Sequence, residues 1–134
     1  MAGTGDVRLL LDTHTFLWWL DGDRRLPARV RRQIGANGNT IYVSAASAWE
    51  ITTKWRLGKL PGAEAVAADV GRIVASQGFS ELEITIRHAE HAGRLAGDHR
   101  DPFDRMLIAQ AQVEGVSIAS GDEVFEEYGV SLYW

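Results

Sequence analysis

The chain has no cysteine, which excludes disulfides, thiolate metal sites and cysteine nucleophiles and fits a reducing compartment. It has no apolar run near the ~20 residues that cross a bilayer. Its first residues, Met1–Asp6, are small and polar, unlike the basic end and apolar core of a signal peptide. We therefore expect a soluble, cytoplasmic protein. Strong charge of either sign is also missing. The net charge of −4 argues against a general attraction to nucleic acid, although a local basic patch remains open. Repeats, low-complexity tracts and interdomain linkers are absent too. With 134 residues, 46% of them hydrophobic, the chain has the size and apolar content of a single domain, residues 1–134, with a real core.

What is present is a regular alternation of strand and helix. Val7–Leu11 is a continuous apolar run of strand length, as a central strand covered on both faces requires. Helices are expected at Thr13–Leu20 and at Pro27–Ala36, with Pro27 in the first turn of the second. Ile41–Val43 is a second strand, and Ser44 a good N-cap for a helix over Ala45–Leu57 ending at Gly58. A further amphipathic helix is expected over Glu64–Gln77, a third strand at Leu82–Ile84 and a helix around Ile86–Leu95. Phe103–Glu114, Val116–Ala119, Glu123–Tyr128 and Val130–Leu132 complete the pattern as helix, strand, helix and strand. This alternation predicts an α/β fold with a parallel sheet between helices.

Four carboxylates fall where that fold would bring them together. Asp12 ends the first strand, Glu50 lies in the helix after the second, Asp104 opens the helix before the fourth, and Asp122 follows the fourth. In open α/β sheets, ligands bind beyond the carboxyl ends of the strands. Acidic groups packed there repel one another unless a cation neutralises them, and oxygen donors without thiolates favour Mg²⁺ or Mn²⁺. Each residue also has a plainer explanation. Asp12 and Asp122 suit helix caps or turns. Asp104 suits the positive end of a helix dipole, with Asp101 as the better cap. Glu50 can pair with Lys54 on an exposed helix face.

Other residues speak less clearly. His88 and His91 are expected to be partly exposed on one helix, and a packing role suits His14. His99 stands in the loop before Asp101 and can order it. Trp18, Trp19, Trp49 and Trp55 suit core or interface positions. Positive charge gathers at Arg24, Arg25, Arg29, Arg31 and Arg32, and again at Lys54, Arg56 and Lys59.

Together these blocks resemble a known family. Leu9-Leu10-Leu11-Asp12-Thr13-His14, Ser44-Ala45-Ala46-Ser47-Ala48-Trp49-Glu50-Ile51, His99-Arg100-Asp101-Pro102-Phe103-Asp104-Arg105 and Ser120-Gly121-Asp122 are similar to the motifs of PIN-domain ribonucleases. The likeness is nearest to the VapC-type toxins of bacterial toxin–antitoxin pairs, and it runs from about Val7 to Trp134. It implies a PIN-like three-layer fold with a parallel five-stranded sheet. It also implies Mg²⁺-dependent cleavage of RNA, a homodimer, and inhibition by a cognate antitoxin. Asp12, Glu50, Asp104 and Asp122 fall on the family's acidic quartet, with Asp12 and Asp104 as our choice of direct metal ligands. Ser120 stands where the family more often has threonine. We expect Ser120, Arg29 and Arg32 to meet the substrate. Two competing readings are a haloacid-dehalogenase-type phosphatase and a non-catalytic PIN-like interaction module. The first needs a second aspartate where this chain has His14. The second has no reason to keep four repelling charges.

Overall fold

The computed structural model describes residues 6–134; all of the N-terminal segment read above except Asp6 lies outside them. The strands are β1 (Arg8–Leu11), β2 (Thr40–Ser44), β3 (Ser80–Leu82), β4 (Ser117–Ala119) and β5 (Leu132–Tyr133). They form one five-stranded sheet in the order β3-β2-β1-β4-β5, with every pair parallel. Helices α1 (Thr13–Asp21) and α2 (Ala28–Gly35) connect β1 to β2, while α3 (Ala45–Arg56), α4 (Glu64–Ala68) and α5 (Val70–Ser76) connect β2 to β3. Helices α6 (Ile86–Arg94) and α7 (Pro102–Glu114) return the chain to β4, and α8 (Val124–Glu127) leads to β5. This is the expected three-layer α/β architecture.

Two cores follow from the two-residue period of the central strands. Leu9 and Leu11 of β1 pack with Ile41 and Val43 of β2 against Phe16, Val30, Ile51 and Val74 on one face. Leu10 points the other way and joins Ile118, Leu107, Ile108 and Phe125. Burial on both faces is why the β1 run is apolar without interruption.

The chain works outward from β1 through β2 to β3, then crosses to β4 on the other side of β1. That reversal opens a crevice between the carboxyl ends of β1 and β4, where ligands of such sheets bind. A buried polar clasp braces the neighbouring ends. Gln110 of α7 accepts the Ser44 hydroxyl at 2.5 Å and donates to the Glu83 carbonyl at 3.1 Å.

Three boundaries depart from expectation. The stretch Glu64–Gln77 is two helices, because Asp69 leaves the helical region and its carboxylate accepts the Arg72 N–H at 3.1 Å, capping α5. The third strand is Ser80–Leu82 and not Leu82–Ile84. Gly78 turns the chain in the left-handed region, and Phe79, 9% exposed, anchors it to the core, so pairing with β2 begins at Ser80. Similarly, β5 starts two residues later than expected. Val130 is buried in the preceding turn, with its N–H bound to the Phe125 carbonyl. Among the described residues, no helix is long and apolar enough to cross a membrane.

Candidate functional site

Asp12 sits immediately after β1, and its two oxygens have separate tasks. Oδ1 accepts the Thr15 N–H at 2.7 Å, which caps α1, and Oδ2 accepts the Ser120 hydroxyl. Capping and site membership are thus compatible roles. Burial pushes the Asp12 carboxyl above the ordinary aspartate range, although the bonds from Ser120 and Thr15 work against that. Ser120 is fully buried behind Asp12, and its oxygen also accepts the Asp122 N–H at 2.9 Å. The Ser120 hydroxyl, expected to meet substrate, is closed off from solvent here and is engaged by Asp12 and the Asp122 backbone.

Glu50 is 4% exposed, so the surface-pair explanation fails even though the pair with Lys54 exists. The Thr13 hydroxyl donates to Glu50 Oε1 at 2.6 Å and lies 3.0 Å from Ser47 Oγ, while Lys54 Nζ lies 2.5 Å from Oε2. Thr13 follows Asp12 directly, so α1 and α3 meet through these carboxylates. Burial opposes the Lys54 ammonium, yet the bond to Glu50 and the charges of Glu50, Asp101 and Asp104 raise its pKa overall.

Asp101 caps α7, accepting the N–H groups of Phe103 at 2.9 Å and Asp104 at 3.4 Å. His99 turns not to Asp101 but to Asp104, with Nε2 2.9 Å from Oδ2. Burial first, and then the charges of Asp101 and Glu50, raise the Asp104 carboxyl above the ordinary range despite His99. Asp122 is exposed, and its Oδ1 accepts the Val124 N–H at 3.0 Å. It shares a cavity of about 430 Å³ with Asp12.

The carboxylates thus fall into two adjoining groups. Asp12 and Asp122 flank the β1–β4 crevice, and Glu50, Asp101 and Asp104 surround the Lys54 ammonium closely enough to shift it. Among the described residues, no three histidine, aspartate or glutamate side chains converge with the geometry to hold a metal ion. The donor chemistry still fits a hard divalent cation. Every candidate ligand is an oxygen, and Asp104, raised first by burial, is raised further by the charges of Asp101 and Glu50, a repulsion that a cation relieves.

Lys54 supplies part of that relief now. Lys54→Met should lower the stability of the metal-free protein by about 1–2 kcal/mol, less than a fully buried pair because the lysine is one-third exposed. Mg²⁺ should restore most of the loss. Melts in EDTA and in millimolar Mg²⁺ check this, and an unchanged melting temperature in EDTA would show that Glu50 does not depend on Lys54.

Of the arginines gathered before and in α2, the structure brings Arg25 to the Asp12 cavity and leaves Arg29 and Arg32 on the exposed face of α2. Arg29 lies over the Tyr133 ring at 5.5 Å. His14 is exposed and lines the Asp12 cavity. His88, expected near the surface, is 1% exposed. Its Nδ1 accepts the Thr85 N–H at 3.0 Å, and Nε2 meets Glu114 at 2.8 Å. His91 pairs with Gln112. Trp49 and Trp55 are 61% and 43% exposed, whereas Trp18 and Trp19 pack against the first core.

The PIN-domain family model matches residues 9–130. This chain belongs to the PIN-domain family. The PIN domain is 45% identical over 53 residues to Ribonuclease VapC16 of Mycobacterium tuberculosis, a match that spans 40% of this chain and only 38% of that protein. Two solved structures share the PIN fold at low identity. VapBC2 from Rickettsia felis, bound to a promoter DNA fragment, has a TM-score of 0.70 at 13% identity, covering 95% of this chain and 98% of that one. VapC20 of M. tuberculosis, a sarcin-ricin loop cleaving toxin, has a TM-score of 0.61 at 17% identity, covering 91% and 95%.

Proposed function

We propose that the protein is a divalent-cation-dependent endoribonuclease that cuts single-stranded RNA and acts as a cytoplasmic toxin restrained by an antitoxin. The observation that carries this reading is the gathering of carboxylates on neighbouring elements. Buried Asp12 shares the crevice with Asp122, and Glu50, bonded to Thr13, the residue after Asp12, faces the half-buried Asp104 together with Lys54. The family membership and the ribonuclease name of the curated relative support it.

Asp12 and Asp104 would hold Mg²⁺ or Mn²⁺ directly, with Glu50 and Asp122 acting through waters, since Mg²⁺ gives up its waters reluctantly. Such an ion supplies an activated water and neutralises charge on the phosphate oxygens. The chain's own side chains do the rest. Ser120 fixes Asp12 Oδ2, Thr13 orients Glu50 Oε1, and His99 orients Asp104 Oδ2. Lys54, bonded to Glu50 and one-third exposed, would be the cation nearest these carboxylates available to a substrate phosphate. RNA cleavage that stops in EDTA and returns with Mg²⁺ is the expected result; cleavage that EDTA leaves untouched would overturn the metal-dependent reading.

The homodimer and antitoxin are part of the same proposal. Trp49, Trp55 and Leu57 leave much apolar surface exposed on and beside α3, and surface of this kind marks protein contacts. The structural likeness to the VapBC2 complex supports a protein partner of this sort. Light scattering behind size exclusion should give twice the chain mass at tens of micromolar protein, and a small neighbouring gene product should relieve growth arrest. A strictly monomeric particle, or a neighbour without effect, would count against these two parts respectively.

A further inference from the structure

Two cavities adjoin on the Asp12 side of the sheet edge. One, of about 430 Å³, is bordered by Asp12 and Asp122 and by Trp18, Arg25 and Trp134. The other, of about 300 Å³, lies between α1 and the Leu60–Ala63 loop. His14, Trp18 and Arg25 line both. Volumes of this order suit small organic groups, here about one nucleotide each.

The dividing wall is built to hold its shape. The Arg25 guanidinium lies 4.7 Å over the Trp18 ring, and Asp23 grips it at Nε (3.1 Å) and at a terminal nitrogen (2.8 Å). Its side chain is nevertheless 68% exposed. Asp23 takes two of five guanidinium N–H groups, which leaves donors for a phosphate. Across the cavity, the Trp134 indole rests on the turn that presents Asp122. A Cβ on Gly121 would stand 2.8 Å from Trp134 Cε2, so glycine permits this seat. Trp18 and Trp134 rings are 6.1 Å apart.

Indoles and a planar cation do nothing for a metal ion. They are what an unpaired base and its phosphate require, because single-stranded bases stack on aromatic and guanidinium planes. We propose that the cavity beside Asp12 holds an unpaired nucleobase flanking the scissile phosphate, packed on Trp134, and that Arg25, seated on the Trp18 ring, holds the neighbouring phosphate. This rests on the nuclease reading and assigns its nucleotide pocket. It also gives an acidic protein a cation for RNA: Arg25 lines both cavities, the first of them with Asp12 and Asp122, whereas Arg29 and Arg32 line neither.

The test is fluorescence anisotropy in EDTA with fluorescein-labelled U, A and C decamers of single-stranded RNA, alongside a ribose-phosphate decamer without bases. Wild type should bind at least one base-bearing decamer. Arg25→Ala should weaken that binding about fivefold and flatten its log–log salt dependence by about 0.7, the share of one phosphate contact on a single strand. Trp134→Ala should weaken it about tenfold and bind the base-free decamer as wild type does. Trp134→Phe keeps a ring for stacking and should be intermediate; it preserves the test if the alanine variant does not fold. No binding by wild type, full binding by both variants, or an equal Trp134 effect on base-bearing and base-free strands overturns the pocket. So does a loss confined to dimer or antitoxin binding, which would make the surface a protein contact. Base-dependent binding without cleavage in Mg²⁺ sustains the pocket and overturns the nuclease reading instead.

Discussion

Asp12→Asn protein should melt within a few degrees of wild type and lose RNA cleavage by more than about a hundredfold. The structural part of this expectation follows from the cap. Asparagine caps helices about as well as aspartate, so it can accept the Thr15 N–H as Oδ1 does now. Its second polar group can still meet Ser120. What disappears is a buried negative charge at the mouth of the crevice. The loss should exceed the 10–100-fold typical of groups that only orient a metal ligand. Ser120→Ala provides that smaller step, since Ser120 acts through Asp12, and about tenfold is expected from it. The comparison is made on purified proteins with Mg²⁺ present and melting curves as the folding control. Well-folded Asp12→Asn protein that cleaves like wild type would remove Asp12 from the chemistry and leave it as a helix cap.

The positions most legible in the sequence are those fixed by periodicity. The unbroken Val7–Leu11 run announces a strand buried on both faces, and Ser44 announces α3 with its N-cap in place. Glu50 was harder to read. An i,i+4 glutamate–lysine pair looks the same in sequence whether it faces water or is buried, and in this one the glutamate is buried, with Thr13 of α1 bonded to the carboxylate from across the fold. His88 misleads for a similar reason: its partner Glu114 is 26 residues away, on α7. The arginines show the limit of reading charge by density. Arg29 and Arg32 crowd the segment, but the period of α2 turns Val30 and Ile34 inward and leaves both arginines exposed, outside the lining of either cavity. Arg25, in the turn before α2, reaches the cavity because Asp23 and Trp18 hold it there. Asp69 marks the same kind of limit at the backbone: a short polar side chain inside a helical pattern became a cap.

Asp104→Asn should stabilise the metal-free protein and shrink the gain that Mg²⁺ brings. In wild type, burial and the charges of Asp101 and Glu50 hold the Asp104 carboxyl above its ordinary range. The native state therefore keeps this proton to higher pH than the unfolded chain does. From about pH 4 up to the raised native value, the unfolded state binds fewer protons, and stability falls as pH rises. Below about pH 4 the group is protonated in both states and the charge penalty is absent. The advantage of Asp104→Asn should consequently be smallest near pH 4, grow as pH rises, and level off above the native pKa. One effect opposes it. An anion in the first turn of α7 gains from the helix dipole, typically about 0.3–1 kcal/mol. Burial together with the charges of Asp101 and Glu50 should outweigh it. Each kcal/mol corresponds to roughly 3 °C in melting temperature for a chain of this size. Mg²⁺ acts in the opposite sense on wild type: at a hundred times its dissociation constant it should add about 2.7 kcal/mol, and less in the variant. Melts of both proteins from pH 4 to 8, in EDTA and in Mg²⁺, separate the accounts. Should Asp104→Asn be the less stable protein in EDTA at pH 7, with wild type indifferent to Mg²⁺, then Asp104 serves the helix dipole and the carboxylates do not act as a cation site.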